Sequence, residues 1–246
     1  MNMPETLIEE ATLSQGWITV LSRIANGRGH EISPLMLSLT GFDESQKVRQ
    51  LLNKALNDGE LDSIDTVAGT IFPMGIFQLS KDRFQFYDEY KQVIPRIRKV
   101  DRRNNRGTYF ERLIAYEGNN GETVNQIEFI IQSLLSKKNK RRSKLQASTF
   151  DPRVDHMDTP YQGFPCLQHV AFNVSEKGGL IMNSFYAMQY LFQRAYGNWL
   201  GLINLGKFIA RETGLEFERF NCFVGVEKLD KMTKEKAKQF LKSLEN

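Results

Sequence analysis

The sequence predicts one α+β domain, a mixed sheet packed by helices, and three observations lead there. The chain has 246 residues with 41% hydrophobic and 25% charged content, an ordinary globular composition with enough length to bury a core. Helical periodicity dominates as far as Ser136, whereas strict alternation appears from Cys166 onward. No Pro- or Ser-rich linker and no repeat separates the two textures, so residues 1–246 are expected to form a single unit.

Residues 5–26 are expected to form an amphipathic helix. Leu7, Ala11, Leu13, Trp17, Val20, Leu21 and Ile24 share one face, and Gly27 ends it. A loop from Gly27 to Pro34 leads to a short strand over Leu35–Leu39. Residues 44–57 are expected to be helical, Gly69–Gly75 a loop, and 81–93 a helix ending before Pro95. Ile127, Ile130, Ile131, Leu134 and Leu135 give Val124–Ser136 a buried helical face. Val170, Phe172 and Val174 share one side of a strand over Cys166–Val174. The turn signal Glu176-Lys177-Gly178-Gly179 then predicts a hairpin with Leu180–Tyr186. Residues 198–213 form an apolar helix ended by Gly214, Leu215–Val226 a further strand, and Thr233–Leu244 a Lys-rich last helix.

The formal charge is +4, concentrated in Arg96–Arg106 and Lys137–Lys144. Such runs bind phosphate, acidic partners or nucleic acid, or simply face solvent. Nothing supports sequence-specific nucleic-acid recognition, so nucleic acid is not the expected partner. The two cysteines, Cys166 and Cys222, make no disulfide framework and fit a reducing, cytoplasmic setting. His30, His156 and His169 are scattered, and no Cys/His cluster has zinc-ligand spacing, so no metal is expected. The acidic opening residues lack an apolar h-region, so no signal peptide is expected. No stretch approaches the ~20 apolar residues of a membrane span, and no membrane contact is expected. Gly69-Thr70-Ile71-Phe72-Pro73 lacks the Gly-Lys-Ser/Thr ending of a phosphate loop.

A lone cysteine such as Cys166 is more often an inert buried residue than a nucleophile. Its surroundings change that. Tyr109 stands sixteen residues before Asn125-Gln126-Ile127, which opens a helix; Arg141-Arg142 follows, then a strand, a loop, Pro165-Cys166 and the hairpin. Gly197-Asn198 then precedes a helix ending Ile209-Ala210 and continuing to Gly214-Leu215-Glu216. The order and spacing of these motifs, from about Tyr109 to Phe220, resemble the thymidylate synthases and the related pyrimidine-nucleotide hydroxymethylases.

The resemblance implies a thymidylate-synthase-like sheet with one face forming a homodimer interface. Residues 109–220 would be the recognisable core, flanked by divergent parts 1–108 and 221–246. It implies a pyrimidine nucleotide as partner and methylene-tetrahydrofolate as carbon donor. Cys166 would be the nucleophile: a thiolate adding to C6 of the pyrimidine makes C5 carbanion-like, ready for methyl or hydroxymethyl transfer. Tyr109 would line the nucleotide site, and Asn198 would pair with the N3–H and O4 edge of uracil, since an amide donates and accepts at once. Arg141 and Arg142 would hold the 5′-phosphate of the nucleotide in the opposite subunit, a task suited to planar guanidinium forks.

The chain also departs from the family pattern. An ungapped reading puts Ala187-Met188 where the family has an Arg-Ser pair that grips phosphate; under a shifted alignment, Arg194 supplies that charge. Leu167 stands where histidine follows the nucleophile, Ala171 replaces a glutamine, and the ribose-binding His-x-Tyr falls near Lys228-Leu229-Asp230. The proton-relaying glutamate has no counterpart with a supporting pattern; Glu44 and Glu111 are candidates. The folate-covering C-terminal tail is absent from the pattern. Two function classes therefore stand open: a C5 methyl- or hydroxymethyltransferase, or a catalytically reduced protein of the same fold that senses a nucleotide or scaffolds a partner.

Overall fold

The computed structural model of the chain describes residues 7–118, 121–136, 141–156, 158 and 165–245. The first part runs β1 (Leu7–Glu10), α1 (Leu13–Asn26), β2 (Glu31–Ile32), β3 (Leu35–Leu39), α2 (Gln46–Asp58), α3 (Ile64–Gly69), α4 (Met74–Leu79), α5 (Arg83–Val100) and α6 (Tyr109–Ile114). Then come β4 (Tyr116–Glu117), β5 (Thr123–Val124), α7 (Gln126–Leu135), β6 (Gln146–Ser148) and α8 (Pro152–Asp155). The last part is β7 (Leu167–Val174), β8 (Leu180–Tyr190), α9 (Tyr196–Thr213), β9 (Phe217–Lys228) and α10 (Lys234–Glu245).

Among the described residues, seven strands form one mixed sheet in the order β1-β3-β9-β8-β7-β6, with β2 also on β9. The β1/β3 and β8/β9 pairs are parallel. The expected hairpin is present: β7 and β8 pair antiparallel, joined through a turn in which Gly178 holds φ +92. The α+β class is therefore as expected. Core side chains from Ile8 to Ala237 form one hydrophobic cluster. Among the described residues, no helix is long and apolar enough to cross a membrane.

Two expectations need correction. The first helix does not reach back to Leu7: residues 7–10 pair with β3, and Thr12 caps α1 by accepting from the Gln15 amide. A long-range strand partner overrides the helical pattern there. Pro95 does not end a helix either; it lies inside α5. Pro95 is exposed, so the carbonyl that loses its amide partner stays accessible to solvent.

The sheet changes pattern where β8 and β9 approach the cavity described below. Buried positions run Met182, Ser184, Tyr186 and then Gln189 on β8, and Phe220, Cys222, Val224 and then Glu227 on β9. The alternation breaks at Ala187 and Gly225 on the two neighbouring strands. A Cβ on Gly225 would come within 2.6 Å of the Ala187 carbonyl oxygen, so this close approach requires glycine. The break turns Gln189 and Glu227 inward beside each other. On the opposite face, Phe185 and Phe223 stack at 5.5 Å, and Asn173, Asn183 and Asn221 hydrogen-bond across three strands.

Candidate active site

A cavity of about 450 Å³ opens between α3, the 3-10 turn at Arg102–Arg106, the start of α6, the entry to β7 and the end of β8. Tyr109, Cys166, Arg194 and Asn198 all line it. These side chains come from positions up to 89 residues apart, and local structure explains each. Thr108 caps α6 by accepting from the Glu111 amide, which sets Tyr109 as the first helical residue. Cys166 immediately precedes β7, and its carbonyl accepts from the Ala187 amide at 3.3 Å. Arg194 lies in a π-helical turn, Leu191–Ala195, between β8 and α9. That turn is anchored from outside: Trp17 Nε1 donates to the Leu191 carbonyl at 3.1 Å, and the Phe192 amide donates to Asp230 Oδ1 at 3.1 Å. Such irregular turns recur at functional sites because they re-aim side chains.

Asn198 follows in the first turn of α9. The preceding Gly197 lets α9 seat against α3, since a Cβ there would lie 2.8 Å from the Ile64 carbonyl oxygen. The close contact brings Thr66, Val67 and Thr70 of the α3 region to the cavity wall.

The anion-binding potential rests on two guanidiniums. Arg194 pairs with Asp62 at 2.9 Å, and Arg103 pairs with the other oxygen of Asp62 at 3.0 Å and with Asp101 at 2.8 Å. Burial pushes the Asp62 carboxyl up, but Arg103 and Arg194 together outweigh it and hold the group below its ordinary range. Asp101 is held low chiefly by its hydrogen bonds from Arg103. Cys166 is exposed as a residue, yet the protein packed round its thiol pushes the pKa up, while the Arg194 charge works in the opposite direction. Burial also raises the Tyr109 phenol, reinforced by Cys166 and opposed by the backbone of Leu167 and Cys166 and by Arg194.

Arg141 and Arg142 do not line this cavity; they are exposed, with Arg142 in a 3-10 turn ahead of β6. Lys137–Lys140, the rest of that basic run, lie outside the described residues. Glu44 and Glu111 are likewise absent from the cavity wall, being paired with Arg49 and Arg98. Asn125 and Gln126 have structural duties. Asn125 caps α7, while the Gln126 amide donates to the carbonyls of Arg112 and Ser148 and accepts from the Ser148 amide. His169 sits away from Cys166, near Ser148, and burial lowers its pKa. Cys222 is buried, and desolvation pushes its thiol up to about 12.

Sequence reading missed Asp62, Arg103 and Gln189, which also line the cavity. Arg103 was present in the basic run, and Asp101 beside it marks a turn: its side chain accepts from the Arg103 amide. Asp62 and Gln189 carry no local signal, because only the tertiary fold gives them their neighbours.

No protein-family model matches the chain. A curated protein of Methanocaldococcus jannaschii named "Putative thymidylate synthase" is 33% identical over 111 residues, covering 44% of this chain and 48% of that protein. The chain thus spans about half the length of the curated relative it matches. The similarity to that protein is therefore distant and partial.

Proposed function

We propose that the chain is a pyrimidine-nucleotide C5 methyl- or hydroxymethyltransferase of the thymidylate synthase type, with Cys166 as nucleophile, acting as one domain. The observation that carries this reading is the convergence of Cys166, Tyr109, Arg194 and Asn198 on one cavity. Arg194 and Arg103 hold the 5′-phosphate, exchanging part of their pairing with Asp62 for the nucleotide. Asn198 aligns the base. The Cys166 thiolate adds to C6, and the electron pair of the C5–C6 double bond moves to C5, leaving that carbon nucleophilic toward the carbon a bound cofactor would supply. Arg194 promotes the thiolate against the opposing effect of burial.

An adjoining cavity of about 350 Å³ shares Thr66, Thr70, Asp101, Asn104 and Thr108 with the first. Tyr90, Val93, Ile97 and Val100 give it an apolar wall, and Arg96 supplies a cation. These residues fit a flat ring system with an anionic end, so they are where methylene-tetrahydrofolate would be held. When bound, that cofactor supplies the carbon. The half-exposed Met36 and Phe185 on the outer sheet face support a homodimer contact there, with Arg141 and Arg142 serving the partner's site. Two free cysteines fit a cytoplasmic setting.

A second reading, a nucleotide sensor with reduced catalysis, is favoured by one feature. Among the described residues of the cavity wall, the only carboxylates are Asp62 and Asp101, and both are ion-paired, so neither is a ready proton carrier. Calorimetry with dUMP and dCMP, followed by turnover assays with Cys166→Ala, separates the readings. Binding with turnover that Cys166→Ala abolishes supports the enzyme. Binding without turnover supports the sensor, and turnover undiminished in the variant rejects Cys166 as nucleophile.

A further inference from the structure

Asn104, Gln189 and Asn198 each bring an amide to the cavity wall. Gln189, on β8, is 3% exposed, and neither its Nε2 nor its Oε1 finds a hydrogen-bond partner in the protein. Its neighbour in the parallel β8/β9 register is Glu227, which is 0% exposed and has both carboxyl oxygens unpartnered. The hydroxyl of Tyr186 nearby is also buried without a partner. Each such group costs about 1–3 kcal/mol when left unmatched in an interior. Of the three, only Gln189 lines the cavity; the other two cluster with it where the strand alternation has been broken to turn two of them inward, and this marks a place built to meet a polar ligand.

The ligand's chemistry follows from counting. A pyrimidine-2,4-dione ring presents three polar groups along one edge, a carbonyl on each side of an N–H. One amide pairs with the N–H and one carbonyl, so Asn198 leaves the other carbonyl to a second donor. We propose that Gln189 donates from Nε2 to this remaining carbonyl, and that Glu227 is the positioning residue whose carboxyl hydroxyl comes to donate to Gln189 Oε1 when the ligand binds, a bond not formed in the structure, and so fixes which way the amide faces. A neutral carboxyl is required for that donation. Desolvation, reinforced by Asp230, drives the Glu227 pKa well above its ordinary value, the direction that favours the neutral acid. The inference rests on the pyrimidine-nucleotide reading and specifies how that same cavity selects a dione base.

The test measures dUMP and deoxyribose 5-phosphate binding by calorimetry in the full chain and four variants. Gln189→Leu is expected to lower dUMP affinity at least roughly tenfold, the loss of about one hydrogen bond, while deoxyribose 5-phosphate binding is unchanged. Glu227→Leu should do the same, and Glu227→Gln, a neutral side chain that still donates, should retain wild-type affinity. Gln189→Asn, one methylene short of the carbonyl, should bind dUMP as weakly as Gln189→Leu. Unchanged dUMP affinity in Gln189→Leu, or parallel loss of both ligands, overturns the role of Gln189. Equal loss in Glu227→Gln and Glu227→Leu overturns that of Glu227. Wild-type protein that binds dUMP no better than deoxyribose 5-phosphate overturns the pyrimidine reading itself, and this inference with it.

Discussion

Arg194 holds Asp62 at 2.9 Å on the wall of the cavity into which Cys166 opens. The pair places a guanidinium beside the thiol, where its charge offsets part of the upward push of desolvation, and it does so from a π-helical turn pinned by Trp17 and Asp230.

If Arg194 and Arg103 receive the phosphate, each contributes charge-assisted hydrogen bonds worth about 1.5–3 kcal/mol. Arg194→Ala should weaken dUMP binding roughly ten- to a hundredfold, and Arg103→Ala by a similar factor. Arg141→Ala, tested in the same titration, should weaken binding only if a partner subunit completes the site. Full affinity in both Arg194→Ala and Arg103→Ala would remove the phosphate assignment.

The Cys166 thiol should titrate above the ordinary thiol range, since desolvation is the larger influence. The rate of iodoacetamide alkylation followed against pH reports this directly. Removing the nearby cation in Arg194→Ala should move the midpoint higher still, because the thiolate loses its favourable partner. A lower midpoint in the variant would contradict the electrostatic picture.

Glu227 makes stability depend on pH in a defined direction. Its folded-state pKa lies well above the unfolded value of about 4.3, so the folded chain binds the extra proton. Stability then falls as pH rises above the unfolded value, by about 1.4 kcal/mol per pH unit until the folded value is reached. Glu227→Gln removes the penalty. Its stability relative to wild type, from urea unfolding, should improve between pH 4.5 and pH 8. The same difference at both pH values would show that Glu227 does not hold its proton.

Arg112 and Asp155 form a largely buried bidentate pair, at 2.6 and 2.9 Å. The same guanidinium donates to the carbonyls of Thr149 and Arg106, tying α6 to the segments on either side of the site. Arg112→Ala leaves the Asp155 carboxylate buried without its partner and should cost about 3–5 kcal/mol of stability. A loss below 1 kcal/mol in chemical denaturation would show that the clamp is dispensable.

Much of this was legible in the chain. The β7/β8 hairpin was readable because alternation and a Gly-Gly turn speak locally, and α9 because its apolar run ends at Gly214, which adopts φ +69. Residues 7–10 misled because their pattern suits a helix, and only pairing with β3 makes them a strand. The candidate site was legible where a side chain belongs to an ordered motif, as for Tyr109, Cys166 and Asn198. Arg194 reaches the cavity from the π turn between strand and helix, a local geometry that the residue pattern does not announce. Gln189 and Glu227 left no trace in sequence, since what distinguishes them is a break in alternation shared by two strands that are neighbours only in the fold.

The central claim is that Cys166 adds to C6 of a pyrimidine nucleotide. Addition makes the hydrogen on C5 exchangeable, with no carbon donor needed. Proton NMR of dUMP incubated with the protein in D2O should show the C5 hydrogen signal decaying, with the C6 signal collapsing to a singlet, and no change in the presence of Cys166→Ala. A C5 signal that persists while dUMP is demonstrably bound, or decays equally with Cys166→Ala, would contradict the account.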